Sequence, residues 1–219
     1  MLQAIKGRRL VTALIASGVV GACAPAAASA SSGLLGTTLQ SVTKILSGTN
    51  CGQTYAVTTP FSPWSDTNSY RLVPGGNFPT TGSGWSLAGG ASIAPSSDPN
   101  QLAGAAGAGE VVLPAGSSAV SPFSCVDTAQ PTIRFMDAGN PQARLIVNVT
   151  FVEPAGLQIT LPVGVVTPGA KWQPSPTLVD LQVVGGLLDG GAVPMALSFQ
   201  ASGGTVDVSD AFVDPRMRS

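Results

Sequence analysis

The sequence contains no histidine. That absence removes Ser-His-Asp triads, Cys-His dyads and histidine-based zinc sites in one step. Charge is scarce as well. Only 10% of residues are Asp, Glu, Lys or Arg, and no basic run follows the first nine residues, so nucleic acid is not an expected partner. Aromatic residues make up 5% of the chain, too few for an extended stacking platform. No Gly-rich phosphate loop stands between a strand and a helix; the Gly-Gly pairs at Gly75, Gly89, Gly185 and Gly190 read as turns.

What is present begins with an export segment. Lys6, Arg8 and Arg9 precede a short apolar stretch over residues 10–22, and Ala28-Ser29-Ala30 has the small-x-small form of a signal-peptidase site. Residues 1–30 therefore read as a secretory signal and place the protein outside the cell. Val20-Gly21-Ala22-Cys23 also resembles a lipoprotein cleavage site, so a lipid anchor at Cys23 on the outer membrane face is the alternative to release. The apolar stretch is too short, and too rich in Ala and Gly, to read as a membrane span, and no second long one follows.

Without residues 1–30, seven Lys and Arg face eleven Asp and Glu, a net charge of minus four. The remaining length suits one domain. Once Cys23 is cleaved off or lipidated, Cys51 and Cys125 are the remaining thiols, and an exported chain favours joining them. A bridge across so long a loop would restrict the unfolded chain by about 4 kcal/mol on the entropy model.

Residues 31–50 form a separate segment. Leu34, Leu35, Leu39, Val42, Ile45 and Leu46 recur at three- and four-residue spacing, which predicts a short amphipathic helix. It lies on the domain or is a partly ordered leader, or else it serves self-association or envelope contact through residues 34–46.

From Cys51 onward the pattern is β. Short runs of Val, Ile, Thr, Phe and Leu alternate with Gly, Pro, Asn and Ser clusters, predicting an all-β sandwich of about nine to eleven short strands over residues 51–215 and a tail at 216–219. Strands are expected at 55–59, 110–113, 117–121, 132–136, 145–152, 178–184, 196–200 and 205–213. A hairpin or bulge is expected around Gly89-Gly90, and two or three short strands over 157–172. Strict alternation in the last strand puts Val206, Val208, Asp210 and Phe212 on one face. Residues 95–109 read as a long loop without chemical inventory.

Three stretches carry a family resemblance. Gly75-Gly76-Asn77-Phe78, then Gly84-Trp85-Ser86-Leu87, resembles the opening of jelly-roll carbohydrate-binding modules of the galactose-binding-like type. Residues 113–122 look like their second strand pair, and residues 206–215 are similar to their closing strand. The whole chain looks still more like a group of small exported actinobacterial proteins of unknown function that share this ending. The resemblance implies a jelly-roll β-sandwich and, more weakly, glycan binding. In such modules a Glu after the opening Phe and an acid of the last strand help to hold a structural calcium. Here Pro79 and Ser209 stand in those places, so calcium is disfavoured, with Asp207, Asp210 and Asp214 its remaining candidates.

Catalysis would have to rest on a carboxylate pair, as in glycoside hydrolysis. Asp66, Glu110, Glu153 and Asp210 are available, but nothing in the sequence pairs them, so no enzyme is expected. Binding suits the inventory better, because sugar rings stack on flat aromatic faces. The expected ligand contacts are Trp64, Tyr70 and Trp172, each in a Pro-rich or polar setting, while Trp85 is expected in the core. The expected partner is an extracellular or cell-wall glycan; a structural or adhesive envelope protein without a small ligand is the alternative. The sequon Asn148-Val149-Thr150 lies inside the clearest strand and is read as chance.

Overall fold

The structure, a computed structural model, describes residues 56–104, 108–126, 132–152, 156–179 and 192–214. The expected export segment with Cys23, the expected helix over 31–50, Cys51, Glu153 and the tail lie outside the described residues. Among the described residues, thirteen strands follow a single 3-10 turn at Ser62–Trp64. In chain order they begin with β1 (Arg71–Leu72), β2 (Ser86–Ala88), β3 (Ser92–Pro95), β4 (Gly109–Leu113), β5 (Ser118–Val120) and β6 (Ser124–Val126). The long elements come next: β7 (Thr132–Gly139), β8 (Arg144–Val152) and β9 (Gln158–Val166). The last are β10 (Gln173–Pro174), β11 (Leu178–Val179), β12 (Val193–Ser202) and β13 (Val206–Asp214).

Among the described residues, all pairings are antiparallel and fall into two sheets. The first runs β10-β7-β13-β4-β3, with β1 joined to β13 and β11 to β7; the second runs β2-β5-β12-β8-β9, with β6 joined to β12. This is the expected jelly-roll sandwich, with more strands than the sequence suggested and five of them eight to ten residues long. Leu145, Val147, Val149 and Phe151 of β8 alternate inward, as do Leu197, Phe199 and Ala201 of β12 and Ile133 and Phe135 of β7. They meet in one apolar core between the sheets, which is what period-two patterning with one buried face requires.

The motif residues build the centre of that core. Phe78 packs on Trp85 at 4.7 Å, Trp85 stacks on Phe199 at 5.6 Å with a 6° interplanar angle, and Phe135 meets Phe199 edge-on at 5.0 Å. Trp85 also donates its Nε1–H to the Pro74 carbonyl at 3.2 Å, which satisfies the polar edge of a buried indole. The glycines of the opening motif let it close on the last strand. Gly75 has φ +64°, and a Cβ at Gly76 would sit 2.5 Å from the Ala211 carbonyl oxygen. The Val73 N–H donates to that same oxygen, and the Ala211 N–H donates to the Gly76 carbonyl, both at 2.9 Å.

Three local expectations are corrected. The Gly89-Gly90 stretch is not a hairpin: β2 pairs with β5 in one sheet and β3 with β4 in the other, so the chain crosses the sandwich there. A turn at Pro114-Ala115-Gly116 likewise links strands of different sheets. Residues 158–166 form one nine-residue strand, with a register shift opposite Val147 and Asn148, rather than several short ones. Strict alternation fails in β13, where a bulge between Ser209 and Phe212 puts Asp210 at φ +51°. The extra residue turns Ala211 and Val213 inward and sends Phe212 to the opposite face from Val208.

Candidate functional site

The outer face of the first sheet carries a second aromatic cluster. Phe61, Tyr70, Met136 and Phe212 are fully buried there, and Trp64, Leu72, Leu102, Ala103 and Trp172 pack around them. Residues 58–70 supply half of it as a closed loop. Thr58 and Tyr70 exchange both backbone hydrogen bonds, at 2.9 and 2.7 Å, and Pro63 sets the tight turn that ends with Ser65 at φ +64°. Phe61 fills the loop from within, edge-on to Tyr70 at 5.1 Å and to Phe212 at 5.7 Å.

Asp66 fastens that loop to the sheet. Its carboxylate accepts the Tyr70 hydroxyl at 2.6 Å and the Asn68 N–H at 3.1 Å, and it pairs with the Arg134 guanidinium of β7. Burial pushes the Asp66 carboxyl up, but the hydrogen bonds from Tyr70, Asn68 and Arg134 outweigh it and hold the group below its ordinary value. Burial, and then the neighbouring Asp66 charge, push the Tyr70 hydroxyl up to about 12. Arg134 also lies 4.7 Å above the Phe61 ring and donates its Nε–H to the Ser175 carbonyl.

The stretch after β3, read from sequence as lacking chemistry, is a strap tied down by carboxylates. Glu110 of β4 accepts the Ser97 N–H at 2.6 Å and the Ser97 hydroxyl at 2.8 Å. Asp98, itself buried, accepts the Ser209 hydroxyl at 2.7 Å and two bonds from Asn100. Asp210, turned over the strap by the β13 bulge, accepts the Leu102 N–H at 2.7 Å and the Ala103 N–H at 3.3 Å. Burial, with a smaller push from Asp98, raises the Asp210 carboxyl to about 6 against the lowering effect of those two N–H groups. Asp207, half-buried, is likewise raised by burial and then by the neighbouring Glu110.

These contacts decide several sequence candidates. Trp64 and Trp172 reach one surface cluster and remain half-buried. Tyr70, expected at the surface, is fully buried behind them with its hydroxyl given to Asp66, so it supports the site from below. Trp85 is in the core as expected. Cys125 is 4% exposed and disulfide-bonded, with its partner outside the described residues, so its pairing with Cys51 stays a proposal.

Asp210 is not arranged as a calcium ligand. The Asp210 carboxylate faces N–H donors where a cation would need further oxygens, Pro79 offers no side-chain oxygen, and the Asp214 side chain lies outside the described residues. No group of three or more His, Cys, Asp or Glu suited to a metal occurs among the described residues. Of the carboxylates considered for hydrolysis, Asp66, Glu110 and Asp210 are each committed to hydrogen bonds within the fold. Sequence reasoning missed the strap, Arg134 and Asp137. Asp137 is fully buried; burial raises its carboxyl to about 6, while the Gly169 N–H and the Gln173 side chain lower it. The spacing of these residues along the chain gives no hint of their convergence.

The fold thus defines an all-β, two-sheet sandwich with an aromatic cluster on one outer face. No protein-family model matches the sequence, and no curated protein matches it. Among solved structures it is similar to TmCBM61 in complex with β-1,4-galactotriose, at 14% identity and TM-score 0.40, over 67% of this chain and 95% of that one. It is also similar to the N-terminal cellulose-binding domain of β-1,4-glucanase C from Cellulomonas fimi, at 14% identity and TM-score 0.42, over 65% and 95% of the two chains. A third is a variant of the family 29 carbohydrate binding module CBM29-2, at 12% identity and TM-score 0.40, over 75% and 94%. The strand pairing itself establishes the sandwich, and no residue role is carried over from these proteins.

Proposed function

We propose that this chain is a secreted or surface-associated, non-catalytic protein that binds a glycan on the outer face of the first sheet. One observation carries the reading: Trp64 and Trp172, distant in sequence and both half-buried, belong to one cluster held rigidly from beneath by Phe61, Tyr70 and Phe212. An indole face anchored on a packed base is suited to stack on a sugar ring. Export through residues 1–30 would bring the protein to an extracellular or cell-wall glycan, either free or tethered at Cys23.

A glycan array with pull-down on insoluble polysaccharides tests this. Retention of the wild type and its loss in Trp64→Ala and Trp172→Ala support the reading. A clean negative across plant, fungal and bacterial glycans defeats it and leaves the structural or adhesive envelope protein. Mass spectrometry of the mature N-terminus decides between release and a lipid anchor.

A further inference from the structure

Glu110 and Trp172 are far apart in sequence, and one serine joins them. Glu110 is 7% exposed, and its Oε2 receives both the N–H and the hydroxyl of Ser97. With its proton given to the carboxylate, Ser97 Oγ has only lone pairs for another neighbour. Trp172 supplies the matching donor, its Nε1–H lying 3.1 Å from Ser97 Oγ. An indole N–H can only donate, so the direction of the relay from Trp172 through Ser97 to Glu110 is fixed. The charged end strengthens the bond it anchors. The indole body packs against the Met136 and Phe212 cluster, while the relay fixes its edge.

We infer that Glu110, acting through Ser97, is a positioning residue that holds the Trp172 indole in one orientation with its N–H edge closed to ligand. This rests on the glycan-binding reading only in what the orientation serves: a ligand meets the ring of Trp172, and its hydroxyls are bonded by other groups.

The first measurement needs no ligand. In full-length Trp64→Phe protein, Trp85 is buried in the core and Trp172 is the indole that a quencher reaches. Adding Ser97→Ala is expected to shift the emission and increase acrylamide quenching. Ser97→Thr, which keeps the hydroxyl, is expected to match the parent, and Glu110→Gln to fall between. A Ser97→Ala protein that melts like its parent, with unchanged emission and quenching, overturns the inference; unchanged values in a folded Glu110→Gln protein remove Glu110 from it. With a glycan in hand, Ser97→Ala should weaken binding about fivefold to tenfold, the scale of one hydrogen bond. Unchanged affinity would overturn the link to binding. If the wild type binds no glycan, the proposed function fails, and the quenching result still decides the positioning.

Discussion

The two outer faces of this sandwich share a backbone plan and differ in almost everything else. The face of the first sheet is covered by the 58–70 loop and the 96–104 strap, which bring a packed aromatic cluster, an Asp66–Arg134 pair and several buried carboxylates. Among the described residues the second sheet presents Ser118, Asn148, Thr150, Thr160, Ser198 and Gln200, with no aromatic residue on that side. Its Thr150 and Thr160 hydroxyls bond across the strands at 2.9 Å, and little else is built there. A sheet needs only one buried face to be stable, so the second sheet is complete once the core is filled. The elaboration of the first face exceeds what the sandwich requires, and the proposed glycan site rests on that excess.

The widest expected gap between the faces is in stability. Phe61→Ala empties a fully buried site under the loop and should cost about 3–4 kcal/mol in urea unfolding, whereas Thr150→Ala on the other face should stay within about 0.5 kcal/mol. Equal effects would mean that the loop is not packed as described. Arg134→Ala leaves the Asp66 carboxylate without its guanidinium and should destabilise by roughly 2 kcal/mol. A smaller loss in Arg134→Met would show that the stem's packing matters as well as the charge.

Binding sharpens the comparison. Trp172→Ala should weaken glycan retention about tenfold, roughly 1.4 kcal/mol, with little change in melting, while Asn148→Ala and Gln200→Ala should leave retention unchanged. The reverse pattern in affinity electrophoresis would move the site to the second sheet.

The smallest effect concerns acidity. Asp210 and Asp137 both titrate near 6 in the folded chain, against an ordinary value of 3.8. The folded state therefore holds these protons more tightly than the unfolded one. Their contribution to stability is greatest below the ordinary value and declines as pH rises toward about 6. Asp66 acts in the opposite sense, because its folded value is lowered. Asp210→Asn should flatten the decline in urea midpoint between pH 4 and pH 7; an unchanged slope would show that Asp210 is not the group titrating.

The architecture was legible because burial on one face of a strand imposes a period of two. Residues 145–152 alternate clearly, and the structure makes them β8, with Leu145, Val147, Val149 and Phe151 inward. The opening motif was legible for a related reason: Trp85 after a glycine, and Phe78 after a glycine pair, are the residues that fill the centre of the core. The candidate site was legible only in part. Trp64 and Trp172 were singled out by their polar surroundings, and Tyr70 was misplaced because Tyr70 in the same kind of setting gives no sign of the Asp66 carboxylate waiting beneath the loop.

The sequence by itself determined the sandwich, most of its long strands and the core that fills it, since those follow from local periodicity and from large apolar side chains having one place to go. Only the tertiary structure decided which sheet each strand joins, how the bulge of β13 turns Asp210 and Phe212 outward, and how Asp66, Ser97, Glu110, Arg134 and Trp172 meet on one face. Those contacts join segments tens of residues apart, and side chains brought together by long-range strand pairing leave no spacing along the chain from which their meeting can be read.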